Sequence, residues 1–185
     1  TSVNGRRINN PDQKSVAYVA MHGIPHQNID SVDRFLAPYR EKRNIRNRKM
    51  CENITGIVKP YGFTLDFDAD VLPISNYAEG GSVTERHILF ALAKKITARY
   101  KTPAEVLSFL ENEMKISISP KLREFIADGD KTPEFYEYDI LGVLKSDLVE
   151  KFYIPATDEC PKAPDFIKMV HDNGGIAAYA YLGDV

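Results

Sequence analysis

One feature constrains the fold more than any other. A long middle stretch, about residues 31 to 153, repeats its apolar residues at helical spacing, and a strand-like run stands on either side of it. From Ser31 to about Val58, the residues Val32, Leu36, Tyr39, Met50, Ile54 and Ile57 fall on one 3.6-residue stripe, and Pro60 and Gly62 end it. Ser82-Val83-Thr84-Glu85 has the form of a capping box and opens a helix with Ile88, Leu89, Leu92, Ile96 and Tyr100 on one face. Thr102-Pro103, Ser119-Pro120 and Thr132-Pro133 each set a capping hydroxyl before a proline, which predicts three further helix starts. At the flanks, Val16 to Ile24 reads as one strand, and Ile176 to Leu182 reads as another. The second follows a short amphipathic helix stopped by Asn173-Gly174-Gly175. The simplest organisation is an α+β chain, mainly helical, in which a helical insertion interrupts a sheet domain.

Composition narrows the function classes. With 185 residues, one domain with room for a subdomain is expected. A hydrophobic content of 43% against 27% charged residues supports a packed core rather than a disordered chain. A net charge of −2 gives no general attraction for nucleic acid or an anionic membrane. There is no apolar run of spanning length and no signal-peptide pattern, so a cytoplasmic protein is the expectation. Cys51 and Cys160 lie too far apart in sequence to form a metal-type pair. The start at Thr1 and the stop just after the last strand suggest a piece of a longer chain.

The richest candidate stretch is Tyr39 to Met50, with six basic residues and one acid. Arg40, Lys42, Arg48 and Lys49 suit a solvated helix face. Arg43 and Arg46 instead project into the stripe of Tyr39, Met50 and Ile54. A cation on a buried face needs acceptors, either internal ones or a bound phosphate that arginine can grip with two hydrogen bonds. His87, flanked by Arg86, lies off the apolar stripe of its helix, beside Thr84, Ala91 and Ala98. It reads either as an exposed or helix-packing histidine, or as a ligand contact near a helix N-terminus. His22 and His26 are read as loop histidines at a strand end, not a metal pair. His171 suits a helix C-terminus. Asp66, Asp68 and Asp70 look like the start of a calcium loop, but the required glycine and final glutamate are absent.

Taken in order, "VAYVAMHGIP", "FLAPYREKRNIRNRKM", "RHILFALA" and "YIPATDECPKAPDFIKMVHDNGGIAAYAYLGDV" resemble the middle of a PHP-domain phosphoesterase, of the polymerase and histidinol phosphatase superfamily. The match runs along nearly the whole chain. Its most specific element is the helix with Arg40, Arg43, Arg46, Arg48, Lys49 and Met50 in that spacing, followed by the Gly-Gly and "IAAYA" strand.

The resemblance implies a distorted barrel of parallel strands with divalent metal ions at the strand C-termini, and a helical cap folded over it. Residues 1–35 would then be a barrel strand and connector, residues 36–152 the cap, and residues 153–185 a helix and strand returning to an incomplete PHP-type α/β barrel. Arg43, Arg46, Arg86 and His87 would face the phosphate of a phosphorylated small molecule or nucleotide. In many relatives the arginine stands two residues before the histidine, a place taken here by Glu85. The family's Asp-x-His-x-His and Thr-Asp-His motifs are not in this sequence. Tyr181 stands where the family has a metal-binding histidine. The resemblance thus implies a hydrolase parent using metal-bound hydroxide, while residues 1–185 alone would be inactive and hold no cofactor. Two other readings are a ligand-binding or interaction protein derived from the same fold, and a helical scaffold for oligomerisation. Exposed strand edges make self-association an expectation.

Overall fold

The computed structural model describes residues 2, 5, 8–10, 13–128 and 132–181. Its elements in chain order are β1 (Val19–His22), α1 (Ile29–Val58), α2 (Glu85–Arg99), α3 (Pro103–Ser108), α4 (Pro120–Ala127), α5 (Pro133–Phe152), α6 (Ala163–Asp172) and β2 (Ile176–Tyr179). The architecture is mainly helical with one two-stranded sheet, and no barrel is formed among the described residues. No helix among them is long and apolar enough to cross a membrane. The chain forms two compact units, residues 1–45 with 155–185, and residues 46–154.

In the first unit β1 and β2 pair antiparallel, with Val19 opposite Tyr179 and His22 opposite Ile176. Val19, Met21 and Ala177 turn inward to Val32 of α1 and to Phe166, Met169 and Val170 of α6. The helix stop works as its residues suggest. Asn173 Nδ2 donates to the Met169 carbonyl at 2.8 Å, and the Gly175 N–H donates to Val170 at 2.9 Å. A Cβ on Gly175 would meet Ile24 Cδ1 at 2.4 Å and the His22 carbonyl oxygen at 3.0 Å, so any side chain here would push Ile24 aside and crowd the β1 backbone. Both strands are shorter than their apolar runs. The expected run from Ile176 to Leu182 ends at Tyr179, and Leu182 lies outside the described residues.

A side chain accounts for that early end. Asn9, 1% exposed, inserts its amide between the two chains just past the ladder. Its Oδ1 accepts the Tyr18 N–H at 2.8 Å, while Nδ2 donates to the Tyr18 and Ala180 carbonyls at 2.8 and 2.7 Å. The amide bridges the Tyr18 N–H and the Ala180 carbonyl, while the Ala180 N–H reaches the Tyr18 carbonyl directly at 3.4 Å.

The second unit is built on α2 and α5. Ile88, Leu89, Ala91, Leu92, Ala93 and Ile96 are buried on α2, and Ile140, Val143, Leu144 and Leu148 are buried on α5. Met50, Ile54 and Val58 of α1 complete this core at 0% exposure. Next to it, Phe109 stacks on Tyr100 at 4.8 Å and meets Phe63 at 5.4 Å. The predicted helix over residues 104–114 is α3 followed by a π-helical turn at Phe109–Glu113. All three Ser/Thr-Pro helix starts are present, at Pro103, Pro120 and Pro133. The capping box of α2 is displaced, however. Thr84, with extended backbone, is the N-cap, so the box pairs Thr84 with His87 and not Ser82 with Glu85.

Replacing Asn9 with alanine removes three hydrogen bonds to the Tyr18 and Ala180 backbone. Asn9→Ala should destabilise the first unit by about 2 kcal/mol in urea unfolding followed at β1 and β2 amides. A change below about 0.5 kcal/mol, the ordinary surface range, would contradict this role.

Candidate functional site

The basic face of α1 is divided by what each cation meets. Arg48 forms a two-bond ion pair with Asp68, with Nη2 2.6 Å from Oδ1 and Nη1 bonded to Oδ2. Its guanidinium also lies 4.6 Å from the centre of the Phe67 ring. Arg40 pairs with Asp33 at 2.7 Å. These two cations were expected on a merely solvated face, and both have acid partners. The "DFDAD" stretch supplies one of those partners and builds its own π-helical turn, Phe67–Val71. Asp66 accepts from the Ala69 N–H at 2.8 Å, and Asp70 pairs with Lys95 at 2.6 Å. Its carboxylates are thus engaged in a turn and in ion pairs.

Arg46 is half-buried and turned to the end of α5. Its Nη1 donates to the Ile154 carbonyl at 2.8 Å, and its guanidinium sits 5.5 Å from the Tyr153 ring centre. The cation on the apolar stripe has therefore found an internal acceptor, one of the two outcomes that its position allowed. Beside it is a residue that sequence reasoning passed over. Asn47 is 0% exposed, and its Nδ2 donates to the Val83 carbonyl at 2.9 Å, tying α1 to the start of α2. Its Oδ1 has no hydrogen-bond partner among the described residues. The spacing argument that singled out Arg43 and Arg46 also reaches Asn47, because 43, 47, 50 and 54 follow one helical row.

Arg43 differs from its neighbours. It is half-buried in the first unit, and no hydrogen bond or ion pair joins it to a described residue. Arg86 is exposed on α2. His87 is committed. Its Nδ1 accepts the Thr84 N–H at 3.0 Å, doing at the third helical position what glutamate does in an ordinary capping box. Burial, partly offset by Glu85 and the Thr84 backbone, holds the imidazole below its usual value, so the ring is neutral with its proton on Nε2.

Among the described residues no group of three or more His, Cys, Asp or Glu could hold a metal ion. His22 and Tyr181 lie toward opposite ends of the antiparallel ribbon, because His22 pairs with Ile176 at one end and Tyr181 follows Ala180 at the other. Tyr181 is 81% exposed. Cys51 is not a poised nucleophile. Burial, reinforced by Asp66, Asp70 and Glu52, pushes its thiol up to about 11, and Sγ contacts the Leu65 carbonyl at 3.7 Å.

The two arginines separate in stability. Arg46→Ala removes a charged donor from a backbone carbonyl and should cost about 1–3 kcal/mol in urea unfolding of the helical unit. Arg43→Ala should stay within about 0.5 kcal/mol of the parent chain. Equal losses would show that Arg43 is also a structural tie. Set against known proteins, the chain matches no family model, no curated protein and no solved structure, so the PHP resemblance rests on the motifs of the sequence itself.

Proposed function

We propose that this chain is the phosphate-holding helical cap, with adjoining strands, of a PHP-like metal-dependent phosphoesterase. In this reading it binds the phosphate of a small molecule or nucleotide and supplies no metal ligand of its own. The observation that carries the reading is the state of Arg43. In a helix whose neighbouring arginines are engaged with Asp33, Asp68 and the Ile154 carbonyl, Arg43 alone of the motif arginines on α1 has no hydrogen-bond or ion-pair partner among the described residues. A half-buried guanidinium in that state is suited to grip a phosphate with two parallel hydrogen bonds. Arg86 is exposed at the start of α2. Arg46 and His87 act as positioning residues, since each has a backbone partner.

The finer parts of the reading follow from the resemblance. β1 and β2 would belong to the wall of a PHP-type α/β barrel, and the divalent ions would be held by motifs outside these 185 residues. There the metals would polarise the phosphoryl group and supply hydroxide. A second reading is favoured by one residue. Tyr181 puts a phenol where the family has a metal-binding histidine, which suits a ligand-binding relative that has given up hydrolysis. Phosphate release by a longer protein carrying the upstream motifs separates the two readings.

Calorimetric titration with a nucleoside monophosphate tests the shared core of both. Arg43→Ala should weaken binding about 10- to 100-fold, the loss expected for charged hydrogen bonds, with unfolding unchanged. Unchanged affinity would overturn the assignment. Residues 1–185 should release no phosphate from the same ligand with manganese present, and chelator-sensitive release would contradict the proposed lack of metal ligands.

A further inference from the structure

Besides the burial of Val83 and the His87 N–H bond to Thr84, two side-chain contacts of different kinds hold the start of α2. One is insensitive to acid: Asn47 Nδ2 donates to the Val83 carbonyl. The other has an imidazole as its acceptor: His87 Nδ1 takes the Thr84 N–H, with Thr84 Oγ1 at 3.2 Å from the same nitrogen. Immediately before them lies a glycine pair with a fixed shape. Gly80 is left-handed at φ +86°, and a Cβ on Gly81 would meet the Asn76 carbonyl oxygen at 2.7 Å. The segment from Ser82 to Thr84 is therefore a short strap between a glycine turn and a helix, anchored by the fully buried Val83 side chain, and one of its polar fastenings can be protonated.

The geometry points to an acid-released strap: His87 is a proton-sensitive helix cap whose protonation frees the Thr84 N–H and loosens residues 82–84 from the start of α2. A glutamate at this position would keep an acceptor through neutral and mildly acidic pH. A histidine loses its acceptor when Nδ1 takes a proton, and two N–H groups then face each other. The added charge also sits at the positive end of the α2 dipole, where cations are disfavoured.

Glu85, on the same helix, is the one charged group that acts on His87 among the described residues, and it favours the imidazolium. From α1 the strap meets the uncharged Asn47 amide. Burial opposes Glu85 and prevails. The sign follows from this. A histidine held below its ordinary value of 6.5 contributes stability that is fully present above pH 6.5 and is lost as pH falls below it. This inference stands apart from the phosphate reading and survives if that reading fails.

The test is an NMR titration of the whole chain from pH 7.5 to 5, with His87→Gln as control, since glutamine caps but does not titrate. In the parent chain the ring should be the Nε2–H tautomer at pH 7.5, with a midpoint below 6.5, and the Thr84 amide signal should move with that same midpoint. In His87→Gln the Thr84 signal should hold still. A ring midpoint at or above 6.5, a Thr84 signal that does not follow the ring, or equal movement in the control would each overturn the proposal. Should the variant fail to fold, the tautomer, midpoint and Thr84 signal of the parent chain decide the matter alone.

Discussion

The close packing of α2 on α5 is the interaction on which the helical unit depends. Ile88, Leu89, Leu92 and Ile96 on one helix, and Ile140 and Leu144 on the other, have no exposed surface. Each such side chain contributes about 1.5–3 kcal/mol by leaving water. Ala91 and Ala93, also buried, keep the surface of α2 low where it packs. At the edge of this seam Lys94 reaches Glu137 at 3.1 Å, and Thr97 donates to the same carboxylate at 3.2 Å. A carboxylate with only 11% of its side chain exposed is thereby satisfied. The contacts of interest at the candidate site borrow their rigidity from this seam. Asn47 can fasten Val83 because α2 has a fixed place, and Arg46 can reach Ile154 because α5 has one.

The parts of this fold that the sequence announces are those with local causes. A capping hydroxyl before proline fixes a helix start within a few residues, and Asn173-Gly174-Gly175 fixes a helix stop through contacts of the same turn. The parts it conceals are made by polar side chains acting over long sequence distances. Asn9 ends a ribbon by bonding to Ala180, 171 residues away. Nothing local marks that asparagine among its polar neighbours. The antiparallel pairing of β1 and β2 was equally hidden, since an apolar run does not say which neighbour it will meet. The two π-helical turns left no periodic trace, being a single turn each. In the case of His87 the pattern was legible but misassigned: the Ser82–Glu85 match drew attention from the Thr84–His87 box, whose third member is not the usual acid.

The site shows the same division. Spacing along α1 singled out Arg43 and Arg46 correctly as cations on the inner row, and it would have singled out Asn47 had polarity been weighted like charge. What spacing could not decide is which acceptor each would find. Arg46 meets a backbone carbonyl, Arg48 meets Asp68, and Arg43 has no hydrogen-bond or ion-pair partner among the described residues. Among the four arginines of the motif, three are engaged with protein groups and one, Arg43, is suited to an outside anion. That separation joins the structural account to the functional one.

The central claim is that Arg43 faces a phosphate while Arg48 does not. The most direct measurement follows the backbone and arginine side-chain NMR signals of the whole chain as a nucleoside monophosphate is added. The account predicts saturable changes centred on Arg43 and its neighbours in α1, with the Arg48 and Asp68 signals unmoved. Changes centred on Arg48 and Asp68, or no saturable change anywhere on α1, would contradict it.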